Sequence, residues 1–186
     1  MNRSDLKQVV VVSGKGGTGK TSVAASFAAL AHAPVLADCD VDAANLHLLL
    51  HPEVDEREEF RGAAVAVRDL SRCQGAGECE RRCRFGAITR SSVRAHACQG
   101  CGLCVLACPR QALRLVRVAC GEVFTSSTSY GPMAHARLYP GGESSGRLVT
   151  EVRRRAEGLA IARGRRLVLI DGPPGIGCAA TASLVD

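Results

Sequence analysis

The chain has 186 residues, enough for one domain or one domain with a small insert, and its 46% hydrophobic and 23% charged residues suit an ordinary globular protein. Aromatics make up only 3%, with no tryptophan, which argues against a stacking platform for single-stranded nucleic acid, and no apolar run is long enough to cross a membrane. The formal charge of +6 is concentrated: eleven arginines from Arg61 to Arg117 face only Asp69, Glu78 and Glu80, a local excess of +8 that suits a solvated face or the docking of an acidic partner.

In chain order, VVVVS (9–13) is a short β-branched run ending in glycines and predicts a buried parallel strand. Val23, Phe27, Leu30 and Ala31 then fall at helical spacing and predict the inward face of a helix that Pro34 ends. VLA (35–37) reads as a second strand, so the chain opens as β-loop-α-β, the start of a doubly wound sheet. VAASFAALAHA (23–33) imitates a secretory signal, but the glycine-rich loop ahead of it accounts better for both the lysine and the helix. HPEVDEREEFRG (51–62) is polar and reads as a surface connection. From 63 to 118 the composition turns to Cys, Gly and Arg, which marks an inserted small α+β domain between an N-terminal part (1–62) and its continuation (119–186). A Gly/Ser/Pro/Tyr-rich loop is expected to about residue 145. Ser145 then caps a helix with Leu148, Val149, Val152, Ala156 and Leu159 on one face and Gly164 at its end. LVLI (167–170) is the third obvious strand, and so few strands leave the expected α/β sheet incomplete.

Gly14-Lys15-Gly16-Gly17-Thr18-Gly19-Lys20-Thr21 satisfies the phosphate-loop pattern between a predicted strand and a predicted helix. Glycines let backbone N–H groups wrap a phosphate chain at a helix N-terminus, where the helix dipole also favours anions. Lys20 is placed to reach the β- and γ-phosphates, and the Thr21 hydroxyl to hold Mg²⁺. Asp38 and Asp40 follow the second strand and Asp171 follows the third, which puts all three at the sheet edge where the loop lies. Asp40 is assigned to orient the attacking water and Asp171 to the magnesium shell, with Asp38 in support.

GKGGTGKT with its extra Lys15, DCDVDAANLHLLL (38–50) and IDGPPGIGC (170–178) resemble the deviant Walker A group of P-loop ATPases, which includes the MinD, Mrp and nitrogenase iron proteins. YGPMAHARL (130–138) and SSGRLVTEVR (144–153) are similar to MinD-type ATPases that carry an inserted ferredoxin domain. The resemblance implies an ATP-dependent homodimer in which Lys15 reaches the partner's nucleotide, with switch segments beginning at Asp38 and Asp171. It also implies further strands and an adenine-contacting segment beyond residue 186, so that this chain looks truncated. Ala44 and Ala179 stand where the family usually has proline.

Ten cysteines in a chain without a secretory signal point to metal rather than disulfides and to a reducing, cytoplasmic setting. Cys98, Cys101, Cys104 and Cys108 followed by Pro109 give an intact C-x₂-C-x₂-C-x₃-C-P run, whose fourth cysteine ligates the other cluster in two-cluster ferredoxins; a zinc site is the alternative. CQGAGECERRC (73–83) is a second such run with Ala76 in place of its second cysteine. The exchange rule then gives one [4Fe-4S] cluster the ligands Cys83, Cys98, Cys101 and Cys104. The other site keeps Cys73, Cys79 and Cys108, which suit a [3Fe-4S] cluster, a [4Fe-4S] cluster with one open iron, or a relic. Ferredoxins lacking the same second cysteine resemble the first case. Cys39 reads as a small buried apolar residue, Cys178 as either incidental or an interface ligand, and Cys120 has no assigned part.

The leading expectation is an ATP- and Mg²⁺-dependent ATPase coupled to electron transfer with a redox protein partner. The alternatives are an Mrp-type iron–sulfur carrier or scaffold, and an inactive remnant.

Overall fold

A computed structural model describes residues 5–142 and 145–184, with Ser145 described in its backbone only. The chain divides into two compact units, one comprising residues up to 60, 121–139 and from 145 onward, the other residues 61–120 with 140–142.

The first unit is built on a six-stranded, mainly parallel sheet in the order β1-β8-β2-β7-β6-β3. β1 (Lys7–Ser13), β8 (Leu167–Pro174), β2 (Val35–Asp38) and β7 (Pro132–Leu138) run parallel; β6 (Gly121–Ser127) and β3 (Glu53–Phe60) continue the sheet antiparallel. Alternate residues along each strand feed two cores, one on each face. Val35, Ala37, Val168 and Ile170 pack with Val123, Ala134 and Ala136 under α5 (Ser145–Ala162), whose Leu148, Val149, Val152, Ala156 and Ala160 are all fully buried. Leu36, Leu169 and Met133 pack on the other face under α1 (Lys20–Leu30) and α2 (Leu46–Leu50). α5 forms as its periodicity predicts, and Gly164 follows it in the left-handed conformation. The capping expected of Ser145 concerns a side chain outside the described residues.

Three expectations are corrected. The inward face of α1 is Lys20, Ala24 and Ala28, not the larger apolar residues: Val23 and Phe27 are more than two-fifths exposed and Leu30 is 83% exposed. Alanines let the helix backbone lie close to the sheet, and β1 is an edge strand. Residues 53–60 are not a loop but β3, whose charge conceals it because the strand is an edge and needs no second buried face. Its charged side chains bind its surroundings: Arg57 pairs with buried Glu122, Glu58 with Arg155, and Asp55 accepts the Ser127 hydroxyl at 2.7 Å. The expected loop up to about 145 contains β6 and β7. Their Ser, Thr and Pro residues read as turn formers, but Ser126 is buried with its hydroxyl 2.8 Å from His135 Nε2, and Pro132 takes the first position of its strand.

The second unit pairs β4 (Ala63–Arg68) antiparallel with β5 (Leu113–Val118). Between them lie α3 (Glu78–Arg82), the isolated bridge Ile88–Val93 and α4 (Leu103–Ala107). Its small core is Ala66, Ile88, Cys104 and Leu113. The two halves repeat at an offset of 25 residues: CQGAGEC (73–79) matches CQGCGLC (98–104), so that Ala76 corresponds to Cys101. The backbone repeats too, with Gly75 and Gly100 left-handed inside the loops and Gly77 and Gly102 left-handed at the helix starts. Gly100 lies so close to the Ala64 carbonyl that a Cβ there collides with it.

Candidate functional site

At the carboxyl ends of the parallel strands, Val11, Asp38 and Asp171 stand level across β1, β2 and β8. The Cys39 N–H donates to the Asp171 carbonyl at 2.8 Å, and the Gly175 N–H donates to the Ser13 carbonyl at 2.9 Å, tying the two segments after β2 and β8 to the sheet and to the glycine loop. Within the loop, the Ser13 hydroxyl donates to the Lys15 carbonyl at 2.6 Å. Gly17 and Gly19 take left-handed conformations, and the Val23 N–H donates back to the Gly19 carbonyl as α1 begins.

Gly14 and Gly16 are not left-handed, and a Cβ added at Gly14, Gly16, Gly17 or Gly19 meets nothing within 4 Å. Packing therefore does not explain the glycines at 14 and 16. An open cradle for a closely approaching anion does, which is the fit a phosphate chain needs. Thr18 and Lys15 are exposed, whereas Lys20 is buried.

The three aspartates have separate environments. Both Asp38 oxygens accept backbone N–H groups, from Asp40 at 3.2 Å and from Leu46 at 3.1 Å, so this carboxylate fixes the turn and the start of α2. Burial, and then the charge of Asp171, push its pKa up to about 8. Asp171 is equally buried, yet neither of its oxygens has a formed hydrogen bond among the described residues. Burial raises its pKa, against the nearby Thr21 hydroxyl and Lys20 ammonium, which lower it. Asp40 is half-buried, its pKa raised by burial and lowered by Lys20. Lys20, Thr21, Asp40 and Asp171 thus gather around one point, and an orphaned buried carboxylate beside a threonine hydroxyl is a fit for a hard divalent cation. Among the described residues both oxygens of Asp38 are taken by backbone donors, and the Ala43 N–H also acts on the Asp40 carboxylate, lowering its pKa.

In the second unit the structure sorts the cysteines across the sequence order. Cys83, Cys98, Cys101 and Cys104 line one cavity of about 240 Å³, and Cys73, Cys79 and Cys108 line another of about 30 Å³ together with Ala76. Cys101 is exposed and Cys104 buried, and burial followed by the neighbouring Cys98 and Cys101 raises the Cys104 thiol pKa. Backbone N–H groups point at two sulfurs, from Ala66 to Cys98 at 3.4 Å and from Ala112 to Cys108 at 3.3 Å. Among the described residues, no three His, Cys, Asp or Glu side chains converge closely enough to hold a single metal ion.

The remaining cysteines stand apart from these groups. Cys39 is fully buried in the core of the sheet, and burial raises its thiol pKa far above the usual range. Cys178 is exposed at the start of α6 (Cys178–Leu184). Cys120, for which the sequence offered no part, accepts the Gly62 N–H at 3.4 Å next to the Ala63–Val118 pair that closes the β4–β5 ladder. Arg68 was also not singled out: its guanidinium lies 3.9 Å from Cys79 Sγ. The signal that could have shown it is the 25-residue repeat, in which Arg68 corresponds to Val93.

No helix among the described residues is long and apolar enough to cross a membrane. No solved structure matches the chain. The uncharacterized protein MJ0578 of Methanocaldococcus jannaschii is 30% identical over 97% of this chain, which spans 64% of that protein's length. Residues 9–170 match the CobQ/CobB/MinD/ParA nucleotide binding domain, a span that runs from β1 through the glycine loop to the last residue before Asp171. The chain belongs to this family of P-loop nucleotide-binding proteins.

Proposed function

We propose that the protein is an ATPase whose nucleotide state is coupled to electron transfer through two ferredoxin-type iron–sulfur clusters held by residues 63–118. The observation that carries this reading is the sorting of seven cysteines into two cavities that cross the chain order, four in one and three with Ala76 in the other. Exchange of the last cysteine between runs is the ligation rule of two-cluster ferredoxins. The absence of a converging three-ligand group is consistent with it, because a cubane spreads its thiolates over several irons, whereas one zinc draws its ligands to about 2.3 Å from a single point. Cys83, Cys98, Cys101 and Cys104 would hold a [4Fe-4S] cluster; Cys73, Cys79 and Cys108, in the smaller cavity, would hold a [3Fe-4S] cluster. Such clusters supply one-electron redox chemistry when bound.

On the nucleotide side, the backbone of Gly14–Gly19 would wrap the phosphates of ATP, with Lys20 neutralising their charge. Thr21 and Asp171 would hold Mg²⁺. Asp40, with a pKa raised by burial, is the carboxylate poised to orient and deprotonate water. Asp38 acts on the fold of the segment, because its backbone contacts link Asp40 to the start of α2. The exposed Lys15 is free to reach the nucleotide of a second copy, making a homodimer the active form. The excess of arginines in residues 61–117 suits an acidic redox partner.

The coupling is tested by following cluster reduction with and without Mg-ATP, in the wild type and in Lys20→Ala. Mg-ATP is expected to change the rate or potential of reduction in the wild type and to have no effect in the variant. Reduction that ignores Mg-ATP in the wild type overturns the coupling.

A further inference from the structure

The two halves of the second unit repeat in sequence and in backbone, but not in charge. At the end of β4, the Arg68 guanidinium donates to the Thr89 carbonyl and the Arg90 carbonyl, each at 2.8 Å, and its Nη2 lies 3.9 Å from Cys79 Sγ. Its Nε is buried and has no hydrogen-bond partner among the described residues, where no carboxylate pairs with the group. Exposed Glu80 lines the same small cavity as Arg68, Cys73 and Cys79 without forming such a pair. The repeat places Val93 where Arg68 stands and Cys104 where Cys79 stands, so the equivalent corner of the other half is apolar. Arg68 thus has no counterpart at that corner; the arginines lining the four-cysteine cavity are Arg82 and Arg84.

We infer that Arg68 is a positioning residue that sets the reduction potential at the Cys73, Cys79 and Cys108 site. The inference rests on the reading of these three cysteines as cluster ligands. An added electron makes a bound cluster more negative, and a guanidinium fixed by two carbonyls, without a counter-ion, stabilises that state. The potential at this site is raised relative to the same site without the charge.

The test is an anaerobic redox titration of the full chain, with EPR detection of the oxidised three-iron signal and iron counted per chain. It compares the wild type with Arg68→Lys, Arg68→Met and Arg68→Gln. Removal of the charge in Arg68→Met is expected to lower the reduction constant on the order of tenfold, a downward shift of about 59 mV for a one-electron couple, while Arg68→Lys stays near the wild type. If the Met variant loses its cluster, Arg68→Gln, which keeps a donor for the Thr89 carbonyl, carries the measurement. An intact signal with an unmoved potential in the neutral variants overturns the inference and leaves the cluster reading standing. A wild type with about four irons and no three-iron signal overturns the cluster reading, and the inference with it.

Discussion

Asp171→Asn should stabilise the nucleotide-free protein and destroy its response to Mg-ATP. In the wild type the carboxylate is buried, level with Asp38 on the neighbouring strand, and among the described residues neither oxygen has a formed hydrogen bond, the Thr21 hydroxyl being the donor near enough to lower its pKa. Leaving a buried polar group unsatisfied costs about 1–3 kcal/mol, and more when it is charged. The amide is still a buried polar group, but it removes the charge and relieves Asp38, so the variant should be the more stable at pH 8 without nucleotide, by on the order of 1 kcal/mol. The pH dependence has a definite sign. Asp38 has a pKa raised from 3.8 to about 8, and that of Asp171 is also raised, so between those values the folded state binds more protons than the unfolded one. Wild-type stability therefore falls as pH rises from about 4 to 8, and the advantage of the variant grows over the same window. Adding Mg-ATP at about a hundred times its dissociation constant should stabilise the wild type by about 2.7 kcal/mol and the variant by nothing. The assay is urea unfolding followed by far-UV circular dichroism at pH 5 and pH 8, taking the difference between the two proteins at each pH. A variant less stable than the wild type at pH 8, or an advantage that does not change with pH, would mean that the Asp171 charge does not destabilise the nucleotide-free fold.

Other changes separate the binding cradle from the fold. Gly16→Ala adds a Cβ to open space, so its stability should stay within about 0.5 kcal/mol of the wild type. Its ATP affinity, measured by calorimetry, should fall roughly 10- to 150-fold if even one N–H bond to phosphate, worth about 1.5–3 kcal/mol, is lost. Lys20→Ala removes the buried ammonium beside Asp40 and Asp171 and should abolish measurable nucleotide binding in the same assay. Gly100→Ala forces a Cβ against the Ala64 carbonyl at a left-handed position, so it should cost about 3 kcal/mol and lower the iron retained per chain.

What the sequence disclosed followed from whether a residue's surroundings lie nearby in the chain. The glycine loop between β1 and α1 is a local pattern, and α5 carries its whole buried face in one 3.6-residue period, so both could be read directly. β3 could not, because EVDEREEF is a strand only through its ladder to β6 and ion pairs such as Arg57 to Glu122, which is 65 residues away. β6 and β7 hid behind serine, threonine and proline, whose polarity is satisfied only in the folded hairpin. The exposed side of α1 was misread because periodicity finds an apolar face but not whether a strand stands opposite it. In the nucleotide site the sequence ended the second strand just before Asp38, which closes β2, and had Asp171 follow a strand that continues past it to Pro174. It could not tell that Asp38 is held by N–H groups from Asp40 and Leu46 while Asp171 has no formed hydrogen bond among the described residues. Spacing likewise indicated two groups of cysteines, but the guanidinium beside Cys79 comes from a strand eleven residues earlier in the chain.

If Ala76 makes one of two cluster sites a three-iron site, iron and sulfide counts per chain will show it in anaerobically purified wild type and Ala76→Cys, with EPR before and after dithionite. The wild type is expected to hold about seven irons and give an oxidised three-iron signal, and the variant about eight irons with that signal gone. About four irons in both proteins, with no three-iron signal, would contradict it.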